Sequence, residues 1–189
     1  MTVPETVCTL IPTRKLKILD VGCGPHHIEL NMTEEQRKLI EVHRCDTMLR
    51  GEWWKWEHQD NFRIVDLNSG WPYPTKFFDG VTAIEVIEHL ENPRHFFREA
   101  SRVAKEFIII STPNVMSPSN RENFARTGGF DWHNQKKYLA ESAPLGHITP
   151  IFLWQIEQVC KELGLCVDKI EYVDVGGKED ILIAKVNCP

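Results

Sequence analysis

Three groups of residues in this chain have types and spacings that could do chemistry. The first is Asp20-Val21-Gly22-Cys23-Gly24, a carboxylate followed by two glycines at alternate positions. Glycines let the backbone turn tightly and let a ligand lie against it without meeting a Cβ, and a carboxylate accepts hydrogen bonds from an ammonium or hydroxyl group. A dinucleotide site would carry G-x-G-x-x-G. Here the sixth position counted from Gly22 is His27, which argues against that use. Taken alone, the glycine pair also fits an ordinary strand-to-helix turn. The second group is Glu85-Val86-Ile87-Glu88-His89, two carboxylates and an imidazole within five residues. On a helical turn, positions 85, 88 and 89 share a face. Carboxylates this close repel unless a cation, a protonated histidine or hydrogen-bond donors neutralise them. The third is His147, which together with His89 offers an imidazole able to take a hydroxyl proton near neutral pH.

The elements that must position these groups alternate between strand and helix patterns, the signature of a parallel sheet covered by helices. Leu16–Val21 reads as a buried strand that runs into the glycine turn. A capping box of Thr33 with Gln36 opens a short helix, and Leu39–Arg44 is a second strand ending at Cys45-Asp46. Phe62–Val65 ends at Asp66 and Asp79–Ile84 ends at Glu85, so two more acids sit at strand ends. Asn92 as cap and Pro93 at the first position predict a helix that buries Phe96, Phe97, Ala100, Val103 and Ala104. Glu106–Ser111 is nearly all apolar, as a central strand buried on both faces must be. From Val115 to His147 the chain shows Pro118, Gly128-Gly129, Pro144 and little periodicity, and it is expected to be a mobile, functional lid. A helix is expected from Thr149-Pro150, with Ile156, Val159, Cys160 and Leu163 on one face and Gly164 as its stop. Leu165–Asp174 and Ile181–Val186, joined through Gly176-Gly177, predict an antiparallel pair.

Composition narrows the function. The 189 residues are about what one domain needs, so residues 1–189 are expected to form a single domain with residues 115–147 as its lid insertion. Lys+Arg 22 against Asp+Glu 27 leaves a net charge of -5, so no global positive field holds a polyanion, and nucleic acid is not the expected partner. The six cysteines form no C-x-x-C pair and read as reduced packing residues. There is no basic leader and no apolar run approaching the ~18 residues of a membrane span. A cytoplasmic, non-membrane protein is the expectation. The Trp53-Trp54-Lys55-Trp56 cluster reads as packing rather than as an aromatic cage, because adjacent residues of a helix point in different directions.

Taken in order, these landmarks resemble the class I S-adenosylmethionine-dependent methyltransferases, whose ILDVGCG hallmark stands here as Ile18–Gly24. The resemblance continues through Asp46, Asp66-Leu67, the segment Phe77–Pro93 and Ser111–Asn114. It implies a Rossmann-like α/β fold: a mostly parallel central sheet, helices on both faces, and a C-terminal antiparallel strand pair. It also implies S-adenosylmethionine as cofactor. Asp20, Gly22, Cys23 and Gly24 would cradle its methionine part, Asp46 its ribose hydroxyls and Asp66-Leu67 its adenine, with Glu85 touching the cofactor. Met48 is a candidate for apolar contact with it. An open parallel sheet binds ligands at the carboxyl ends of its strands, where Gly22, Asp46, Asp66 and Glu85 all fall. One departure is His26, which stands where many relatives carry a third glycine.

The E-x-x-E-H segment further resembles two O-methyltransferase groups, those of ubiquinone biosynthesis and the small-RNA 3′-end 2′-O-methyltransferases. There it holds a divalent cation beside the acceptor hydroxyls. On that resemblance Glu85, Glu88, His89 and His147 are candidate ligands for Mg²⁺, Mn²⁺ or Zn²⁺. The metal-free pocket is the preferred reading, with His89 and His147 as candidate catalytic bases. The function expected is methyl transfer from S-adenosylmethionine to an oxygen, in second place a nitrogen, of a small-molecule or glycan-like acceptor. A noncatalytic module that binds the cofactor or a partner is the alternative, and a metal-assisted RNA 2′-O-methyltransferase the lesser one. The stretch ahead of the first strand is only about fifteen residues, shorter than the helical cap of many relatives, so a homodimer partner completing the site is a further alternative.

Overall fold

Successive apolar residues along the central strands send their side chains to opposite faces of one sheet, and each face is buried under helices. The computed structural model describes residues 1–24, 28–47, 61–129, 147–175 and 180–189. Its strands are β1 (Leu16–Val21), β2 (Ile40–Asp46), β3 (Phe62–Ile64), β4 (Phe78–Ile84), β5 (Ala104–Pro113), β6 (Cys166–Val173) and β7 (Ile181–Asn187). They lie in the order β3-β2-β1-β4-β5-β7-β6. β1 to β5 pair in parallel, and β7 inserts antiparallel between β5 and β6. The chain order therefore reverses direction across the sheet at β1 and β4, and the crevice at such a switch point is where open α/β sheets take ligands.

The helices are α1 (Val3–Leu10), α2 (Glu34–Leu39), α3 (Pro93–Val103), α4 (Pro118–Thr127) and α5 (Leu153–Glu162). Ile108 and Ile110 of β5 pack with Phe96, Phe97 and Ala100 of α3 and with Ile156 and Cys160 of α5. Phe107 and Ile109, one residue out of phase, pack on the other face with Val7, Cys8 and Leu10 of α1. Neither of those layers tolerates much change. Ile108, Ile109 and Ile110 are wholly buried, and truncating such a residue to alanine costs about 2–5 kcal/mol.

Several expectations shift at their edges. The helix read from Thr149-Pro150 begins at Leu153 instead, because the amides of Ile148 and Thr149 are committed to the Glu88 carbonyl and the Gln155 side chain accepts from Phe152 N. The interval from Val115 is not featureless. Ser117 caps α4, Pro118 opens it, and Gly128 closes it in the left-handed conformation at φ 75°. Residues 130–146 of the expected lid, Met48, the Trp53–Trp56 cluster, His26, His27 and Gly176-Gly177 lie outside the described residues. The N-terminal stretch holds α1, whose Thr2 and Glu5 form a capping box with Pro4 in the first turn. Among the described residues, no helix is long and apolar enough to cross a membrane.

Candidate functional site

The glycine turn is tied to the tip of β2. Gly22 N and Cys23 N both donate to the Cys45 carbonyl, at 2.8 and 3.2 Å, and Gly24 N donates to Asp46 Oδ2 at 3.0 Å. Gly22 and Gly24 take φ of 62° and 50°, a region in which a Cβ would meet the backbone. The first two amides of the turn are thus spent on the sheet rather than offered to a ligand. Asp46 stands half-buried at the end of β2, its second oxygen accepting from Thr47 N at 2.7 Å.

Asp20 occupies a different environment from the one sequence spacing suggests. It is 3% exposed inside the sheet, where Oδ1 accepts from the Thr82 hydroxyl at 2.8 Å and Oδ2 from Ile28 N at 3.1 Å. Its carboxylate ties β1 to β4 and to the 3₁₀ turn Ile28–Asn31. Asp66 is exposed and caps its own turn through Asn68 N, at 3.0 Å. The Leu67 side chain is buried in the main core with Trp71 and Phe96. The Cys23 thiol is pushed above its ordinary pKa by burial and by Asp20 and Asp46 beside it, so it stays a neutral thiol.

The acidic segment after β4 is not a regular helical turn. Glu85 sits in the left-handed region at φ 54°, and Ile87–His89 form a single 3₁₀ turn. Glu85 N donates to the Ser111 hydroxyl at 3.0 Å, and that hydroxyl meets Glu85 Oε1 at 2.8 Å, so the tip of β5 holds Glu85 in this unusual conformation. Burial pushes the Glu85 carboxyl up to about 7, against the opposing pull of Ser111. Glu88 is 1% exposed, and neither of its carboxylate oxygens has a hydrogen-bond partner among the described residues. The buried Thr112 hydroxyl lacks one as well. Burial, and after it the Glu85 charge, raise the Glu88 carboxyl well above the usual range.

Glu88, His89 and His147 come together. One ligand atom from each lies within 4.8 Å of the others, and the two imidazole rings meet edge-on with centroids 4.8 Å apart. His89 Nε2 stands 3.8 Å from Glu88 Oε1, too far for a hydrogen bond. Glu85, grouped with these three by spacing, is turned to Ser111 instead. The physical reason is its left-handed backbone, which breaks the helical periodicity that would have put positions 85, 88 and 89 on one face. Ser111, Thr112 and Val86 complete the site. Ser111 and Thr112 lay within the S-T-P-N landmark, while nothing in the sequence signalled that Val86 rests on Gly22.

The chain matches the methyltransferase domain family over residues 6–181 and belongs to it. It is a class I S-adenosylmethionine-dependent methyltransferase, and S-adenosylmethionine is its cofactor. No curated protein matches the chain by sequence. Among solved structures it is similar to an S-adenosylmethionine-dependent methyltransferase from Aquifex aeolicus, with 17% identity, coverage of 99% of this chain and 90% of that one, and a TM-score of 0.63. It is similar to another from Mesorhizobium loti, with 12% identity, coverage of 96% and 95%, and a TM-score of 0.65. A third is the magnesium protoporphyrin IX methyltransferase of Synechocystis PCC 6803, with 14% identity, coverage of 98% and 83%, and a TM-score of 0.67.

Proposed function

We propose that the protein moves the methyl group of S-adenosylmethionine to an oxygen of a small-molecule or glycan-like acceptor. The observation that carries this reading is the pair of imidazoles, His89 and His147, gathered with Glu88 beside the tips of β4 and β5. An imidazole at that place takes the hydroxyl proton as the oxygen attacks the sulfonium methyl, and the sulfur leaves with the bonding pair as S-adenosylhomocysteine. In-line positioning and exclusion of water supply the remaining acceleration. In this reading Gly22, Cys23 and Gly24 line the methionine part of the cofactor, Asp46 accepts its ribose hydroxyls, Asp66 and Leu67 flank its adenine, and Glu85 meets its ammonium. Asp20 serves from behind, holding the turn through Ile28 and Thr82. The test is a screen of hydroxyl and amine acceptors that reads S-adenosylhomocysteine release. Turnover on hydroxyl acceptors that falls in both His89→Ala and His147→Ala is expected, and turnover confined to amines would overturn the assignment.

One observation favours a second form of this reading, in which a divalent cation assists. A carboxylate buried without a hydrogen-bond partner is costly, and a cation between it and two imidazoles removes that cost. Glu88, His89 and His147 are a donor set that suits Mn²⁺ or Zn²⁺, and they would hold it. Bound there, the ion would polarise an acceptor hydroxyl.

A further inference from the structure

We infer that Thr149 is a positioning residue that sets His147 against His89 and Glu88, an inference that rests on the reading of His147 as part of the acceptor site. The chain is pinned directly after His147. Ile148 N and Thr149 N both donate to the Glu88 carbonyl, at 2.9 and 3.0 Å, and the Thr149 hydroxyl donates to the Leu90 carbonyl at 3.0 Å. Two donors on one oxygen make a pivot and leave rotation about that carbonyl free. The third bond, two residues further along the turn, removes the rotation. Glu88 thereby supplies its carbonyl to the anchor and its carboxylate to the site, so the anchor and the cluster of Glu88, His89 and His147 share one short 3₁₀ turn. A side chain one residue out of place misses an edge-on contact of this kind, and small displacements of a reacting group cost rate steeply.

The test uses the full chain with ¹³C-labelled histidine and reads the through-space cross-peak between the His89 and His147 ring protons. Thr149→Val, which keeps the shape and both backbone amides, should weaken that cross-peak severalfold. Thr149→Ser, which restores the hydroxyl, should recover it. S-adenosylhomocysteine affinity by calorimetry should stay within about twofold throughout, since the cofactor turn lies elsewhere. An intact cross-peak in Thr149→Val overturns the inference, as does a parallel loss of cofactor affinity, which would mean general damage. The functional reading fails separately, through undiminished S-adenosylhomocysteine release by His147→Ala with the acceptor selected in the screen.

Discussion

Val86 rests on Gly22 so closely that a Cβ added to the glycine would lie 2.6 Å from Val86 Cγ2. The glycine turn after β1 and the acidic turn after β4 therefore share one contact, and the residue immediately before Val86 is Glu85. Gly22→Ala should destabilise the protein by about 1–3 kcal/mol, from the positive φ and the clash together, and should lower cofactor affinity. Val86→Ala added to it should restore part of the stability but leave the backbone strain. Thermal unfolding of the single and double variants checks this, and an unshifted Tm in Gly22→Ala would show that the turn relaxes.

If Asp46 accepts the ribose hydroxyls as proposed, Asp46→Ala should weaken S-adenosylhomocysteine binding by roughly 1–3 kcal/mol, since those bonds to a charged acceptor and the brace on Gly24 N would be lost together. Calorimetry measures it. Unchanged affinity would place the ribose elsewhere.

The metal-free protein should lose stability as pH rises. In the unfolded chain the Glu85 carboxyl gives up its proton near the ordinary 4.5, while in the folded protein it does so only near about 7, and Glu88 is displaced in the same direction. Between those values the folded state binds more protons, so protonation favours folding, and the advantage present at pH 4.5 fades toward pH 7 and above. Denaturant unfolding in a chelator should therefore give a higher midpoint at pH 5 than at pH 8. Glu88→Gln should flatten the dependence, and an equal slope in that variant would mean that other groups carry it.

Readdition of Mn²⁺ or Zn²⁺ to chelated protein should raise Tm by mass action, about 2.7 kcal/mol at one hundred times the dissociation constant. His147→Ala and Glu88→Gln should each abolish the rise. If wild-type Tm and turnover ignore both metals, the metal-free pocket is the working form.

Much of the fold was legible because its signals are local. The run of Ile108, Ile109 and Ile110, the caps at Thr33 and Asn92, and the stop at Gly164 act through neighbouring residues or through simple burial, and each produced its expected element. Two helices escaped notice although their signals were present: Thr2 and Glu5 form the capping box of α1, and Ser117, Pro118 and Gly128 bound α4. Both helices are short, and α4 is largely polar, so apolar periodicity had little to report.

At the site, the sequence by itself determined which residue types are available and that Gly22, Asp46, Asp66 and Glu85 stand at or just past strand ends, because the place and length of each strand along the chain follow from apolar pattern. Tertiary structure alone decided how the acidic groups divide. Glu85 turns to Ser111 through a left-handed backbone, and Asp20 withdraws into the sheet to hold Thr82 and Ile28. Glu88 loses solvent and keeps no hydrogen bond among the described residues, while His147, 58 residues beyond His89, arrives beside it through three bonds to the Glu88 and Leu90 carbonyls. Spacing along a chain cannot encode these outcomes. They depend on which buried polar group finds a partner once distant strands and turns are packed together.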